Sequence, residues 1–289
     1  PQFYAEQDGL SHRSISKLTL DSHGNLWAGT VNGLNRIRIE NKDKDGKNIA
    51  VDTTLDGCWV TCIFEDNEKS IWVGTRGKGL FQLQDGKLIT FTRQEGLPKG
   101  NVLALFEDRE QNIWAGTSGS LVKFSGGVIS KETMSVPLTG IQISSIAEDR
   151  EGHTWAATVG SGLLMLKEKS TINVTVNDGL LTDTLGSIVF DANDNLWVAS
   201  QRGLNKLPAR DRLEFSPGVT FRTGGTDRFV PAFSNSFSPG PIQTGTIKSF
   251  TEKDGLLGSF VLGVYETPSD SMLISTTSGL NIMKDETIS

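Results

Sequence analysis

DSHGNLWAGTVNGL, residues 21–34, is the first of five copies of one frame. In each copy Asp stands six residues before Trp, and a Gly–Leu pair, or Ser–Leu in the third copy, ends the segment. The tryptophans are separated by 45, 42, 41 and 42 residues. They are Trp27, Trp72, Trp114, Trp155 and Trp197. A period of about 40–45 residues with strand-like repeats is typical of propeller blades of four strands each.

A sixth copy, residues 267–280, keeps the frame but has Leu273 at the tryptophan position. It follows Trp197 by 76 residues, which is one period of about 42 plus an insertion of about 34. The insertion, at about residues 208–245, is rich in Gly, Pro, Ser, Thr and Phe, with one convincing strand at residues 219–222. We therefore predict an all-β chain, a single β-propeller domain over residues 1–289. It has six recognisable four-stranded antiparallel blades, and a degenerate seventh blade in the insertion is the alternative.

The order of strands within one blade can be predicted from the repeat. An apolar stretch such as residues 60–65 is the innermost strand, and the Asp-led segment after it is a tight turn. The tryptophan lies on the second strand, the Gly–Leu pair opens the third, and the fourth ends in a further Gly–Leu turn. The chain begins with residues that match the fourth strand and its Gly–Leu turn, and its final repeat shows no outer-strand pattern. We therefore expect residues 2–6 to pair with the sheet of residues 272–283 and to close the ring.

The frame D-x-x-G/N-x-(L/I)-W-(V/A)-G-T-x-x-G-L, preceded by F-x-x-x-(D/E)-G-L, resembles the two-component regulator propeller repeat. The resemblance covers nearly the whole chain outside the insertion. WD-repeat proteins fit less well, because Val or Ala follows the tryptophan where they have Asp.

The resemblance implies a role in a bacterial sensor. Such propellers are typically periplasmic or extracytoplasmic and precede an immunoglobulin-like domain, a membrane helix and a histidine kinase or diguanylate cyclase. It thus implies a ligand-sensing or interaction module that works as part of a homodimer, while any kinase or cyclase activity would lie in output domains absent from this chain. The opening without Met suggests a fragment or a processed chain.

Composition narrows the classes of partner. The net charge is −6 and there is no basic stripe, which argues against nucleic acid. No run approaches 18 apolar residues, so we expect no membrane insertion of this segment. Cys58 and Cys62 lie on one predicted strand, about 13 Å apart at roughly 3.3 Å per residue, which is too far for a disulfide.

Catalytic signatures are missing from the sequence. His12, His23 and His153 lie in predicted turns, and no G-x-S-x-G, H-E-x-x-H, C-x-x-C or phosphate-binding glycine loop occurs. Glu65, Glu107 and Glu148 recur just before the blade Asp, and a residue repeated from blade to blade is expected to serve the blade. We therefore expect no catalysis and no cofactor. An extracytoplasmic propeller lyase or glycosidase and a ligand-free scaffold remain the alternatives.

One segment resembles a calcium-binding loop. Asn41, Asp43, Asp45, Gly46 and Asp52 match the spacing of an EF-hand loop at positions 1, 3, 5, 6 and 12. Asn at the first position, the short Asp at the last and the lack of flanking helices weaken the match. The favoured interpretation is a charged hairpin between the outer strands of blade one, with no metal.

Ligand-binding residues are expected in two sets of loops at one end of the blades. Thirteen residues before each tryptophan position the side chain varies, whereas the next position is always apolar. The varying residues are Ser14, Trp59, Asn101, Gln142, Thr184 and Phe260. The loops between strands two and three add Arg76, Lys78, Gln201 and Arg202. We predict a site of Trp59, Arg76, Lys78, Asn101, Gln142, Arg202 and Phe260, which suits an acidic or hydroxyl-rich ligand such as a carbohydrate. Ordinary loop variability is the alternative.

Overall fold

The structure, a computed structural model, describes residues 5–39, 49–129, 138, 140–167, 170–209, 247–269 and 271–289. These residues form six four-stranded antiparallel sheets, apart from three one-turn 3-10 helices before the innermost strands of blades one, five and six. The predicted fold class is confirmed, and the described residues contain the six predicted blades.

The chain divides into two compact units, residues 1–131 with 138–143 and residues 132–137 with 144–289. The single domain over residues 1–289 stays a prediction. The first unit holds blades one to three. Their strands are β1 Ile15–Leu20, β2 Leu26–Thr30, β3 Gly33–Ile39 and β4 Ile49–Thr54; β5 Val60–Glu65, β6 Ile71–Thr75, β7 Leu80–Gln84 and β8 Lys87–Phe91; β9 Val102–Glu107, β10 Ile113–Thr117, β11 Leu121–Ser125 and β12 Val128–Ile129.

The second unit holds blades four to six, apart from Ile143 at the start of β13. Their strands are β13 Ile143–Glu148, β14 Thr154–Thr158, β15 Leu163–Lys167 and β16 Ser170–Val174; β17 Leu185–Phe190, β18 Leu196–Ser200, β19 Gly203–Leu207 and β20 Lys248–Phe250; β21 Val261–Glu266, β22 Met272–Thr276, β23 Gly279–Lys284 and β24 Thr287–Ile288. In every blade the four strands pair in chain order.

Consecutive blades pack through a small residue on the second strand. A Cβ atom added at Gly29 would lie 2.8 Å from Cβ of Val60, which belongs to the innermost strand of blade two. Gly74 meets Val102 in the same way. An added methyl would overlap these neighbours, so glycine is required for the observed distance between the sheets.

Blade five contains the insertion. Its third strand pairs directly with β20, Leu204 opposite Phe250, so residues 208–247 connect the third and fourth strands of one blade. Residues 210–246, including the strand predicted at 219–222, lie outside the described residues.

The predicted closure of the last blade is wrong in one respect, because blade six has its own outer strand. Strand β24 pairs with β23, after a turn in which Asp285 and Glu286 both have positive φ, 49° and 61°. Such a turn usually contains Asn or Gly, and this one contains neither, so the sequence gives no hairpin signal.

At the N-terminus, residues 1–4 lie outside the described residues. The described part packs on blade one, because the Ser11 amide donates to Asn35 Oδ1 at 2.8 Å and the Thr53 hydroxyl donates to the Gly9 carbonyl at 3.1 Å.

The calcium-like segment is described only in part. Residues 41–48 lie outside the described residues, and Asp52, its last position, lies on β4 with an ion pair to Arg38 at 3.1 Å. In the described part of the chain, no group of three or more His, Cys, Asp or Glu is arranged to hold a metal. The ranges given above also contain no helix long and apolar enough to cross a membrane.

Candidate functional site

The repeated frame residues Asp and Trp bind each other in each of the first five blades. The indole N–H donates to a carboxylate oxygen of the Asp six residues earlier, at 2.6–3.0 Å. The same carboxylate accepts backbone amides of its own turn, as Asp149 does from Glu151 and His153. All five indoles are at most 5 % exposed. The Asp residues therefore fold the blade and are not available as catalytic acids.

Burial raises the pKa of Asp149, but hydrogen bonds from Trp155 and His153 outweigh it, so its pKa lies below the ordinary value. The pKa of Asp108 is also below the ordinary value. Burial raises it, but hydrogen bonds from Asn112, Trp114 and Lys123 lower it further than burial raises it. A carboxyl whose pKa is lowered by folding stabilises the protein above its unfolded pKa, about 3.9. That stability is lost as the pH falls through the lower folded pKa.

We expect the urea midpoint of the parent chain to fall as the pH is lowered from 7 to 3. In Asp108→Asn one of these carboxyls is absent, so the midpoint at pH 7 is lower and the further fall on acidification is smaller. Asp85→Asn, in an exposed turn, is the matched control and should behave as the parent does. Equal acid sensitivity of all three proteins would contradict the assignment.

The glutamates that end the innermost strands link neighbouring blades. Glu65 accepts the backbone amide and the hydroxyl of Ser22 in the turn of blade one, both at 2.8 Å, and Glu107 accepts the amide of Asn67 at 2.8 Å. Blade five has Phe190 at this position, and there Asp194 accepts the amide of Arg150 at 3.1 Å instead. The expectation that these acids serve the blade is confirmed.

The Thr or Ser three residues after the tryptophan position fixes the turn between strands two and three. In all six blades its hydroxyl donates to a carbonyl of that turn at 2.6–3.1 Å.

A further feature of the blades is repeated and was not predicted from the sequence. A cation lies over the indole in three blades, with Arg36 over Trp27 at 5.7 Å, Lys123 over Trp114 at 4.9 Å and Lys206 over Trp197 at 5.0 Å. Each cation is directly opposite its tryptophan on strand three, nine residues later in the sequence, and that spacing was the available signal.

The two sets of varying loops can now be placed. We call the loops that lead into the innermost strands the inner loops, and those between strands two and three the hairpin loops. Within a blade they are hydrogen-bonded at one end, because Arg76 N donates to the Trp59 carbonyl and Ser118 N to the Asn101 carbonyl, both at 2.9 Å. The hairpin loop is also hydrogen-bonded to the inner loop of the next blade, because Gly140 N donates to the Gly119 carbonyl at 2.8 Å.

Trp59 and Arg76 are brought together as a pair. The guanidinium carbon of Arg76 lies 4.6 Å from the centre of the Trp59 ring, and both side chains are exposed. Unlike the five frame tryptophans, Trp59 is 41 % exposed and stands at a position where other blades have small, amide or Phe side chains. An exposed indole beside an exposed guanidinium presents an apolar ring face and several N–H donors to solvent.

The other predicted residues of the first unit lie on the same loops. Lys78 is exposed and its ammonium lies next to Gly57 in the inner loop of blade two. The backbone of Asn101 makes two hydrogen bonds to Ser118. Its carbonyl accepts from the Ser118 amide at 2.9 Å, and its amide donates to Ser118 Oγ at 3.0 Å. Gln142 is half-buried between the buried Ile141 and Ile143.

In the second unit, Arg202 and Phe260 occupy the corresponding loops. Arg202 is exposed in the hairpin loop of blade five, where its amide donates to Ser200 Oγ at 3.2 Å. Phe260 is exposed in the inner loop of blade six and accepts the Thr277 amide at 3.1 Å. Ligand binding by these seven residues stays a prediction.

A profile of the two component regulator propeller family matches residues 9–32, 54–77 and 96–119. Each match begins in the Gly–Leu segment or outer strand before a blade and ends just after the first, second or third tryptophan strand. Three of the six repeats of this chain therefore match the model of that family. No curated protein sequence matches the chain.

Two solved sensor structures are similar to these repeats. The extracellular domain of BT3049, a hybrid two component system of B. thetaiotaomicron, is 18 % identical with a TM-score of 0.60, and the match covers 96 % of this chain and 40 % of that one. The extracellular domain of BT4673, a one component system of the same organism, is 16 % identical with a TM-score of 0.52, covering 96 % and 41 %. The chain thus spans about two fifths of these domains.

Virginiamycin B lyase from Staphylococcus aureus is also similar, at 11 % identity and a TM-score of 0.67, covering 97 % of this chain and 84 % of the lyase. At these identities the three likenesses show the propeller fold alone.

Proposed function

We propose that this chain is the ligand-sensing or interaction propeller of a two-component-type sensor and works outside the cytoplasm. The observation that carries the proposal is the exposed pair of Trp59 and Arg76, at 4.6 Å. The repeated Asp, Trp, Thr and Glu side chains are engaged in holding the blades, whereas this pair departs from the repeat and faces solvent. The repeat family and the likeness to sensor extracellular domains support the sensing role.

The chemistry of the pair favours an acidic carbohydrate. A sugar ring stacks its C–H face on an exposed indole, and a guanidinium donates two parallel hydrogen bonds to a carboxylate. Lys78 and Asn101, on the same loops, add a second cation and an amide that suits hydroxyl groups. The ligand class follows from these side chains and is the same class that the sequence analysis favoured.

Signal transfer needs a difference in affinity between two arrangements of the receptor. A ligand that binds one arrangement more tightly shifts the population towards it, and the output domains detect the shift. In this proposal the immunoglobulin-like and output domains belong to parts of the protein outside this chain, and this chain supplies binding without catalysis.

A propeller lyase or glycosidase that cleaves this ligand class is the alternative function, and a propeller lyase is among the similar solved structures. It predicts that a uronic-acid oligosaccharide is cleaved with formation of an unsaturated product, which absorbs ultraviolet light. Incubation of the chain with such an oligosaccharide, followed by absorbance and chromatography, separates the two functions. Intact oligosaccharide supports the binding role, and turnover would contradict it.

Replacing Trp59 with Ala should weaken binding of a uronic-acid oligosaccharide about 10- to 100-fold, because the stacking surface and the cation–π partner of Arg76 are lost together. Calorimetric titration measures the affinity, with the neutral oligosaccharide of equal length as the ligand control. Arg76→Gln should weaken binding of the acidic ligand more than of the neutral one. Lys87→Gln, on the exposed outer strand of blade two, is the charge-matched control. Unchanged affinity in both site variants would remove these loops as the site.

A further inference from the structure

A groove with a volume of about 410 Å³ lies between blades five and six, wholly within the second unit. One wall is strand β20 of blade five with the 3-10 helix that follows it, Glu252–Asp254. The other wall is the turn between β23 and β24 of blade six, with the first residues of β24. Small-molecule sites have volumes of roughly 300–1,000 Å³, so the groove is large enough for a small organic ligand.

Two locally unfavourable features meet at this groove. Lys206 and Lys248 stand directly opposite each other on β19 and β20, and like charges in that arrangement repel. Glu286 has a φ of 61°, whereas Gly86 and Gly127 occupy the second position of the matching two-residue turns in blades two and three. A residue with a side chain is strained in this left-handed conformation. Departures of this kind from local rules are concentrated at functional sites.

Glu286 joins the two walls of the groove. Its carboxylate accepts from Lys206 Nζ at 2.8 Å and from Lys248 Nζ at 2.6 Å. These hydrogen bonds hold the pKa of Glu286 below its ordinary value, so the carboxyl is ionised at neutral pH. The Lys248 side chain is still 62 % exposed, and its ammonium group can therefore donate to a ligand as well.

Asp254 supplies a second carboxylate on the wall of the 3-10 helix. Its Oδ2 atom accepts the amide and the hydroxyl of Thr251 at 2.8 and 3.0 Å, and the residue is exposed. The two lysines, Glu286 and Asp254 together carry no net charge. Lys248 and Asp254 thus offer an accessible cation and an accessible anion in one groove that is neutral overall.

The groove also has an apolar part, formed by Phe250 and Ile288. Phe250 is 8 % exposed and its ring stacks on Trp197, with 5.8 Å between the centres and 29° between the planes. Ile288 is half-buried and packs against Gly255. Both apolar side chains are therefore fixed by their neighbours.

We propose that this groove binds a small zwitterion of the α-amino acid type with an apolar side chain. The ligand carboxylate pairs with Lys248, its ammonium group pairs with Asp254, and its side chain lies against Phe250 and Ile288. A simple anion would meet the carboxylates of Asp254 and Glu286, and a simple cation would meet Lys248. A ligand with both charges and no net charge matches the groove better than either. This site differs from the pair of Trp59 and Arg76 in place and in ligand, and does not depend on it.

Calorimetric titration with L-leucine tests the ligand class. N-acetyl-L-leucine lacks the ammonium charge and L-leucinamide lacks the carboxylate, and both keep the side chain. We expect saturable binding of L-leucine and an affinity about 10- to 100-fold lower for each analogue, because one charge-assisted hydrogen bond is lost. No binding of L-leucine by the parent, or equal binding of all three compounds, would overturn the proposal.

Two variants test the location of the site. Lys248→Gln and Asp254→Asn should each weaken binding of L-leucine about tenfold or more. Lys248→Gln should leave the affinity for L-leucinamide nearly unchanged, since that analogue has no carboxylate for the lysine to bind.

Each variant has a matched control. Lys253→Gln removes an exposed lysine of the same 3-10 helix that does not line the groove. Asp8→Asn changes the corresponding acid of the 3-10 helix Glu6–Asp8 in blade one. Both controls should bind L-leucine as the parent does. Site variants with the affinity of the parent, at equal urea midpoints, would show that L-leucine binds elsewhere and would contradict the proposed site.

Discussion

Replacing Trp155 with Ala should lower the free energy of unfolding by about 3–5 kcal/mol, because the cavity left in a close-packed interior cannot collapse fully. Trp155 is 1 % exposed and lies in one cluster with Leu185, Ile188 and Val198 of the next blade. Its ring also meets Phe190 edge-on, with 6.2 Å between the centres. The side chain thus packs against two blades, and its removal leaves both with fewer packing contacts.

Urea unfolding of the parent and of the variant measures this change. Trp59→Ala is the matched control, since it removes the same side chain from an exposed loop and should change the free energy of unfolding by less than about 0.5 kcal/mol. A small effect at Trp155 would contradict its role as a link between blades. The clusters around Trp27, Trp72 and Trp197 contain residues of the following blade in the same way, so these indoles also pack between blades.

Replacing Asp149 with Ala should cost about 3–4 kcal/mol, because several buried donors lose their acceptor at once and each unsatisfied group costs about 1–3 kcal/mol. The carboxylate accepts from the Trp155 indole at 3.0 Å and from the amides of Glu151 and His153 at 3.0 and 2.9 Å. The side chain is 1 % exposed, so water cannot replace it freely.

Two further variants distinguish the loss of the Asp149 hydrogen bonds from general destabilisation of the fold. Glu151→Ala, in the same turn but exposed to solvent, should cost less than about 1 kcal/mol. Trp155→Phe removes the indole N–H and keeps most of the ring, so the double variant with Asp149→Ala should lose less free energy of unfolding than the sum of the two single losses. Full additivity would mean that the two side chains do not act as a unit.

The inner three strands of each blade could be predicted because their signals are local and repeated. The expected strand 60–65 coincides with β5, and the Gly–Leu pair opens β3 at Gly33 as expected. Alternation of apolar residues fixes a strand, and five copies of one frame remove the ambiguity that a single short apolar stretch leaves.

The outer strands could not be predicted with the same certainty, because their role depends on turn geometry and on distant partners. Strand β24 has two residues and follows a turn without glycine, so nothing in the sequence marks it. The turn at Glu286 is held by Lys206 and Lys248, at 2.8 and 2.6 Å, and these partners come from another blade.

For the candidate site, the sequence located the loops but not the contacts within them. Trp59 could be singled out because the corresponding positions of the other blades hold smaller side chains. Its approach to Arg76 depends on the hydrogen bond between two loops whose residues are seventeen positions apart in the sequence. The function of Lys78, Asn101, Gln142, Arg202 and Phe260 stays a prediction.

The central claim is that repeated residues hold the blades and that the exceptional pair Trp59 and Arg76 binds ligand. The most direct measurement is a calorimetric titration of the parent and of Trp59→Ala with a uronic-acid oligosaccharide, on samples whose urea midpoints have been compared. The account predicts saturable binding by the parent, an affinity about 10- to 100-fold lower in the variant, and equal midpoints. Equal affinity of the two folded proteins, or no binding by the parent, would contradict it.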